Sequence, residues 1–138
     1  MNLETFKKVL SLTPNQCFIH VAHPFGSGVL NAIKENTKNL LIVNSAFLVD
    51  EFDLMVIVNQ NKGKNLTVVV TDVNRMLPSI QEAFMREFFF NFPTNFENSR
   101  LILLTNYEYN KDSVYVNHEF PFADICVCSK FSHYRIEK

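Results

Sequence analysis

Residues 66–86 read LTVVVTDVNRMLPSIQEAFMR, and this stretch decides the fold. The apolar, mostly β-branched run from Leu66 to Thr71 predicts a strand that is buried on both faces. Asp72 follows directly, and Pro78 then opens a helical segment that extends to Phe90. A buried strand, an acidic tip and a helix in this order are typical of one unit of a parallel α/β sheet.

The rest of the chain repeats this alternation of strand and helix. The segment Leu3–Leu12, within residues 1–13, predicts a leading helix because its apolar residues recur at near-helical spacing. Apolar runs predict strands at Gln16–Ala22, Leu40–Asn44, Leu66–Thr71, Arg100–Thr105 and Asp124–Ser129. Segments with helical character lie between them, at Ser27–Asn36, Glu51–Gln60 and Pro78–Phe90. The predicted fold is a three-layer α/β/α sandwich with a five-stranded parallel sheet, and the connection Tyr107–Phe122 is predicted to be a loop.

Length and composition predict a single α/β domain, residues 1–138, with its core in residues 16–129. Of the 138 residues 47% are hydrophobic, enough to bury a core without disulfides. The formal net charge is −1 and the pI is about 6.4, which argues against direct nucleic-acid binding because phosphates must be neutralised by Lys and Arg.

Cysteine usage and the N-terminal sequence indicate where the protein resides. Cys17, Cys126 and Cys128 have no zinc-site spacing and lie in apolar runs, so we predict buried, reduced thiols. The N-terminus lacks a signal-peptide layout, and no apolar run reaches the roughly 20 residues that span a bilayer. We therefore expect a cytoplasmic protein without a membrane span.

Three turns are candidates for chemistry, because ligands of parallel α/β sheets bind beyond the carboxyl ends of the strands. Gly26, Ser27 and Gly28 follow the first strand, where glycines allow backbone N–H groups to approach a phosphate. Asp72 is a carboxylate suited to hold magnesium through water, and Asn106 carries an amide suited to hydrogen-bond a phosphate. Each turn has a simpler interpretation, as a ligand-free turn or cap, and the residues alone leave both interpretations open.

Taken in this order, the three turns resemble an AAA+ module. Residues 71–86 resemble, without a gap, the segment of clamp-loader subunits and MoxR-type ATPases in which Asp-Glu-x-Asn/Asp-Arg precedes a helix. Leu103–Asn106 is similar to the sensor-one strand, and Leu41–Ala46 is similar to strand two of clamp loaders and enhancer-dependent transcription activators. The resemblance covers residues 16–129 and implies a P-loop NTPase core.

The sequence departs from the AAA+ pattern at the positions that catalysis requires. Thr71 replaces the magnesium-binding Asp, and Asp72 replaces the Glu that activates water; shifting the alignment by one residue places Val73 at the Glu position. Val29 and Leu30 stand where the phosphate loop has Lys and Ser or Thr. No Arg lies between residues 101 and 134, where the family places its arginine finger, and the helical lid is absent.

These departures predict an AAA+ fold without ATPase activity, because each lost phosphate contact typically costs factors of about 10² to 10³ in rate. We expect no catalytic residue, no metal and no cofactor, except for weak binding of ATP or ADP. The relic nucleotide site would consist of Gly26, Ser27, Gly28, Asp72 and Asn106.

The resemblance implies a function through protein contacts. The first hypothesis is a structural or regulatory subunit that docks on protein partners, including other AAA+ subunits or its own copies, in DNA replication or transcription. An alternative is a truncated, enhancer-activator-like domain that contacts a sigma factor, although the Gly-Ala-Phe-Thr-Gly-Ala loop of that family is missing. A third is a small α/β enzyme that uses His20, His23 or His118 with Asp72 or Asp124.

The densest aromatic cluster is Phe88, Phe89, Phe90 and Phe92. Three consecutive Phe residues at the end of an α-helix cannot all lie on one face. We therefore expect most of these rings in the core, and the cluster is the predicted location of a partner-binding surface formed by the others.

Overall fold

The computed structural model describes residues 1–109, 122 and 125–137. The helices are α1 (Leu3–Leu12), α2 (Val29–Glu35), α3 (Glu51–Asn61), α4 (Pro78–Met85), α5 (Phe92–Asn95) and α6 (Ile125–Cys128). The strands are β1 (Phe18–His23), β2 (Leu40–Asn44), β3 (Thr67–Thr71), β4 (Arg100–Asn106) and β5 (Phe131–Arg135). Short 3₁₀ turns, Ser45–Phe47 and Val73–Arg75, follow β2 and β3.

The strands form one parallel sheet of five strands in the order β2-β3-β4-β1-β5. This confirms the predicted sheet. The first strand lies between β4 and β5, and its last residue, His23, is in register with Asn106 at the end of β4. The carboxyl ends of β1, β3 and β4 therefore lie side by side at one edge of the sheet.

Apolar side chains cover both faces of the sheet, which confirms the three-layer arrangement. Val68 and Val70 of β3 contribute to one buried cluster with side chains of α3 and α4. Val69 contributes to the other cluster, with side chains of α1 and α2. Because successive strand residues point to opposite faces, the uninterrupted valine run of β3 fills both cores.

The last strand differs from the prediction. The run Asp124–Ser129 was predicted to be a strand, but the structure places the single-turn helix α6 at Ile125–Cys128 and the strand at Phe131–Arg135. The apolar run is a helical turn whose Val127 is fully buried. The strand β5 lies at the edge of the sheet, and of its five side chains only Phe131 is buried. Its sequence therefore lacks the continuous apolar run of the inner strands. Asp124 and most of the predicted loop Tyr107–Phe122 lie outside the described residues.

The phenylalanine cluster is mainly core, as expected for most of its rings, so Phe88, Phe89 and Phe92 are not part of an exposed partner surface. The predicted helix Pro78–Phe90 is α-helical only to Met85 and continues as a π-helical turn through Phe90. The wider turn lets Phe88 and Phe89 both point inward, and Phe92 is buried at the start of α5. Only Phe90 remains exposed, with the Lys130 ammonium 4.7 Å from its ring centroid.

The cysteine prediction holds in part. Cys17 and Cys128 are free thiols, but both are only partly buried, because Cys17 immediately precedes β1 and Cys128 ends α6. The side chain of Cys126 is not among those that the structure describes. Within the described ranges, the structure contains no helix with the length and apolar character that a bilayer crossing requires.

Arg100 connects three elements at the amino-terminal edge of the sheet. Its Nε donates to Thr67 Oγ1 at 2.8 Å, and a terminal guanidinium nitrogen donates to the carbonyl oxygens of Leu10 at 2.7 Å and Thr13 at 3.3 Å. The cation thereby satisfies carbonyls at the C-terminal end of α1, where the helix dipole favours positive charge.

Replacing Arg100 with methionine is expected to lower the free energy of unfolding by about 2 kcal/mol, because hydrogen bonds to a charged group are lost. Urea denaturation followed by circular dichroism measures the change. Arg86→Met is the control, since the Arg86 side chain is 46% exposed and ion pairs of an exposed cation contribute less than about 1 kcal/mol. Equal losses in the two variants would contradict the assigned role.

Candidate functional site

The turn after β1 adopts the left-handed backbone for which glycine is suited. Gly26 has φ 71°, and Gly28, the N-cap of α2, has φ 76°. A β-carbon at Gly28 would meet only Leu3 Cδ2, at an ordinary 3.5 Å, so backbone conformation rather than space requires glycine there. The predicted role of these two residues in forming a tight turn from strand to helix agrees with this geometry.

Ser27 and His23 use their polar atoms within this turn. Ser27 Oγ accepts a hydrogen bond from the backbone N–H of Val29 at 3.2 Å and lies 3.0 Å from His23 Nδ1. The same nitrogen lies 3.1 Å from the carbonyl oxygen of Pro24. Burial lowers the pKa of His23, and the Pro24 carbonyl and the Asp72 carboxylate oppose this shift. The imidazole is therefore neutral at pH 7.

An acidic side chain contacts the turn from the other side. Glu108 Oε1 accepts a hydrogen bond from the backbone N–H of Phe25 at 2.9 Å. Next to it, the Tyr109 ring lies edge-on against Phe25, with centroids 4.9 Å apart, and the Arg75 guanidinium lies 4.9 Å from the Tyr109 ring centroid. The segment after β4 thus lies against the turn and places a carboxylate on one of its backbone donors.

Asp72 and Asn106 lie at the tips of β3 and β4, as predicted, and a buried asparagine joins the two tips. Asp72 has φ 53° and is half-buried. Asn74 Nδ2 donates to the Asn106 carbonyl at 2.8 Å, and the Asn106 N–H donates to Asn74 Oδ1 at 3.3 Å. Asn106 Oδ1 accepts from the Glu108 N–H at 2.9 Å, which orients the segment that carries the Glu108 carboxylate.

The structure therefore brings the predicted site residues to one edge of the sheet. Two further residues of the site were missed as contributors. Asn74 lies in residues 71–86, but the sequence alone assigns it no role. Glu108 lies in the connection Tyr107–Phe122, which has neither a helical nor a strand-like apolar pattern. Nothing in the sequence near Glu108 signals that its carboxylate contacts a turn 83 positions away.

A cavity opens beside the turn. Its volume is about 540 Å³, and its lining includes Leu3, residues 24–27 and Glu137. Val29, at the position where a phosphate loop has lysine, is buried and faces away from solvent. Among the described residues, no group of three His, Cys, Asp or Glu side chains is placed to hold a metal ion.

Solved structures share this architecture at low sequence identity. The RuvB Holliday junction branch migration motor of Thermotoga maritima matches 98% of this chain and 41% of its own length, with a TM-score of 0.58 and 15% identity. A DNA polymerase III gamma subunit-related protein of the same organism matches 100% of this chain and 46% of its own length, with a TM-score of 0.53 and 13% identity. The fold is that of an AAA+ core.

At 13–15% identity this similarity concerns the fold alone, and the chain spans less than half the length of either protein. No protein-family model matches the sequence, and no curated protein sequence is significantly similar to it. The AAA+ resemblance is thus confirmed for the fold. The assignment of residues 24–28 to a phosphate loop, of Asp72 to an acidic tip and of Asn106 to a sensor tip stays a prediction from the sequence.

Proposed function

We propose that this chain is an AAA+-like domain that does not hydrolyse ATP and acts as a structural or regulatory subunit through protein contacts. The observation that carries the first part is the hydrogen bond from the Phe25 N–H to the Glu108 carboxylate, in the turn that corresponds to the phosphate loop. A phosphate approaching this turn would lie close to a like charge and would compete with it for the donor.

The side chains around the turn agree with this proposal. Val29 offers no charge to the β- and γ-phosphates, and its burial leaves no room for a lysine to replace it without rearrangement. Ser27 Oγ is engaged with the Val29 N–H. Thr71, in the position of the magnesium-binding carboxylate, is a neutral and weak ligand for a hard cation. The residues present do not fit magnesium-ATP, and no catalytic step is derived for it.

The proposal that the domain acts through protein contacts is supported by the intact fold. The sheet of five strands and the helical layers on both of its faces are intact in the part of the chain that the structure describes. Two solved structures of this fold are a branch migration motor and a protein related to a DNA polymerase III subunit. We therefore assign the domain to a protein assembly of DNA replication or transcription.

Two measurements on one purified sample test this proposal. Calorimetric titration with ATP and magnesium is expected to show no binding, or binding weaker than about 0.1 mM, in contrast to the micromolar affinity that an intact loop would give. A phosphate-release assay is expected to give no signal above that of buffer. Turnover of ATP would refute the proposal. A chain that stays monomeric and forms no defined complex would contradict the docking part.

Glu108→Gln is expected to strengthen the binding of ADP about tenfold, because it removes a like charge near the phosphate position and keeps the size of the side chain. Calorimetric titration with ADP measures the change. Glu137→Gln is the matched control, since Glu137 lines the cavity beside the turn but pairs with Arg135 at 3.3 Å rather than with the turn. An equal gain in both variants, or none in Glu108→Gln, would show that Glu108 is not the competing anion. Hydrolysis is expected to stay absent in every variant.

A further inference from the structure

Exposed apolar side chains cluster at the edge of the sheet that β2 forms. We define the β2 surface by its exposed members Ile42, Phe47, Val49, Phe52 and Met55. Phe47 and Phe52 are 76% and 72% exposed, respectively, and a groove of about 420 Å³ lies between β2 and α3. Single exposed apolar residues are common, but Ile42, Phe47 and Phe52 line this one groove, and two exposed aromatic rings at one groove are typical of a protein contact site.

The backbone of β2 adds a second element to this surface. Among the described strands β2 pairs only with β3, so the hydrogen-bonding groups on its outer side have no strand partner. Its sequence, Leu40–Asn44, contains neither charge nor proline, the usual protection of an exposed edge. The opposite edge strand, β5, carries such protection in the exposed Arg135. The two edges of one sheet thus differ, and β2 is the edge suited to pair with another strand.

Charges frame the β2 surface with opposite signs at its two ends. Lys38 precedes β2, and Lys62 and Lys64 precede β3, so three exposed cations lie at the amino-terminal end. At the carboxyl-terminal end, Asp50 caps α3 and is exposed, and the exposed Glu51 next to it lies 3.5 Å from Arg86. A second copy of this surface, turned by a two-fold rotation, would bring the cations of one chain to the acids of the other. The charge pattern is therefore complementary to itself.

We infer that the β2 surface is where a second copy of this chain docks, with the two β2 strands antiparallel about a two-fold axis near Ile42. The two sheets then form one continuous sheet, and Phe47 and Phe52 of each copy pack against the other. This inference rests on the proposed docking function and names its partner. The β2 surface lies at the sheet edge opposite to β5. The turn at residues 24–28 follows β1, which is next to β5, so this turn stays accessible in the dimer.

Sedimentation equilibrium of the full chain at low ionic strength tests the inference. We expect a dimer, and we expect the double variant Phe47→Asp with Phe52→Asp to weaken the dimer at least about a hundredfold, since both aromatic anchors are replaced by charges. Both side chains are exposed, so circular dichroism should show an unchanged fold. Leu12→Asp is the matched control: Leu12 is 82% exposed on α1, outside the β2 surface, and its variant should dimerise as the wild type does.

The charge pattern is tested separately with the double variant Lys38→Glu and Lys62→Glu. It is expected to weaken the dimer about tenfold at low salt, with the difference from wild type shrinking as salt screens the charges. A wild-type chain that is monomeric at about 100 μM, or an aspartate variant that still dimerises, would overturn the inference. An unchanged dimer in the lysine variant would overturn the antiparallel arrangement. Neither result bears on the nucleotide titration or on complexes with other proteins, so the proposed function stands or falls independently.

Discussion

Replacing Phe89 with alanine is expected to lower the free energy of unfolding by about 3 to 5 kcal/mol, the cost of removing a fully buried aromatic side chain. Phe89 is 1% exposed and lies where the helical layer meets the sheet. Its ring centroid is 5.3 Å from that of Phe84 and 5.2 Å from that of Phe131 of β5. The truncation would leave a cavity between layers that both remain in place.

The adjacent residue provides the control. Phe90 is 51% exposed and contacts mainly the Lys130 ammonium, so Phe90→Ala should cost no more than about 1 kcal/mol. Urea denaturation of the two variants under the same conditions measures the difference. Because the π-helical turn buries Phe89 and exposes Phe90, we expect a large difference between the unfolding free energies lost in the two variants. Similar losses would mean that the turn does not orient these side chains as described.

This contrast also explains why the sequence could not show which phenylalanines of the cluster belong to the core. In an α-helix the consecutive side chains of Phe88, Phe89 and Phe90 would point in three different directions. They could not all face the core. The π-helical turn changes the angular step between residues, and no local signal in the sequence predicts it. The last strand was misplaced for a related reason, since an edge strand such as β5 carries a weak apolar pattern and a short apolar run can form a helical turn instead.

The positions of the candidate site were predictable, but its chemistry was less so. Parallel strands end at one edge of the sheet, so the placement of Gly28, Asp72 and Asn106 follows from the order of strands and helices. The carboxylate of Glu108 could not be located, because its contact with Phe25 depends on how the chain folds back after β4. The sequence alone shows departures such as Val29, because a phosphate loop has lysine at a fixed distance along the chain from its glycines.

A row of polar side chains crosses the sheet beneath this site. His20 is 3% exposed; its Nε2 lies 2.9 Å from Thr105 Oγ1 and its Nδ1 lies 2.9 Å from His133 Nδ1. On the far side, His133 Nε2 lies 3.0 Å from the carbonyl oxygen of Cys128. One set of assigned tautomers makes every contact a hydrogen bond with all groups neutral: Thr105 donates to His20, His20 to His133, and His133 to the carbonyl.

The neutral state of His20 makes folding stability depend on pH. Burial, as the largest cause, and the neighbouring His133 and His23 together lower the pKa of His20 from 6.5 to about 3. In the unfolded chain the imidazole binds a proton near pH 6.5, whereas in the folded chain it stays neutral until about pH 3. The stabilisation is therefore complete above pH 6.5 and is lost progressively as the pH falls from 6.5 toward 3.

Between pH 8 and pH 5 the wild-type protein is expected to lose roughly 2 kcal/mol of unfolding free energy more than His20→Gln, which keeps polar groups at this position but cannot titrate. Urea denaturation of both proteins at several pH values measures this difference, and carboxylates common to both cancel. His23→Gln is the comparison within the same strand: burial also lowers the pKa of His23, but a backbone carbonyl and Asp72 oppose the shift, so its contribution has the same sign and a smaller size. If His20→Gln keeps the full pH dependence of the wild type, His20 is not the group that titrates, and the neutral row across β1, β4 and β5 is wrongly assigned.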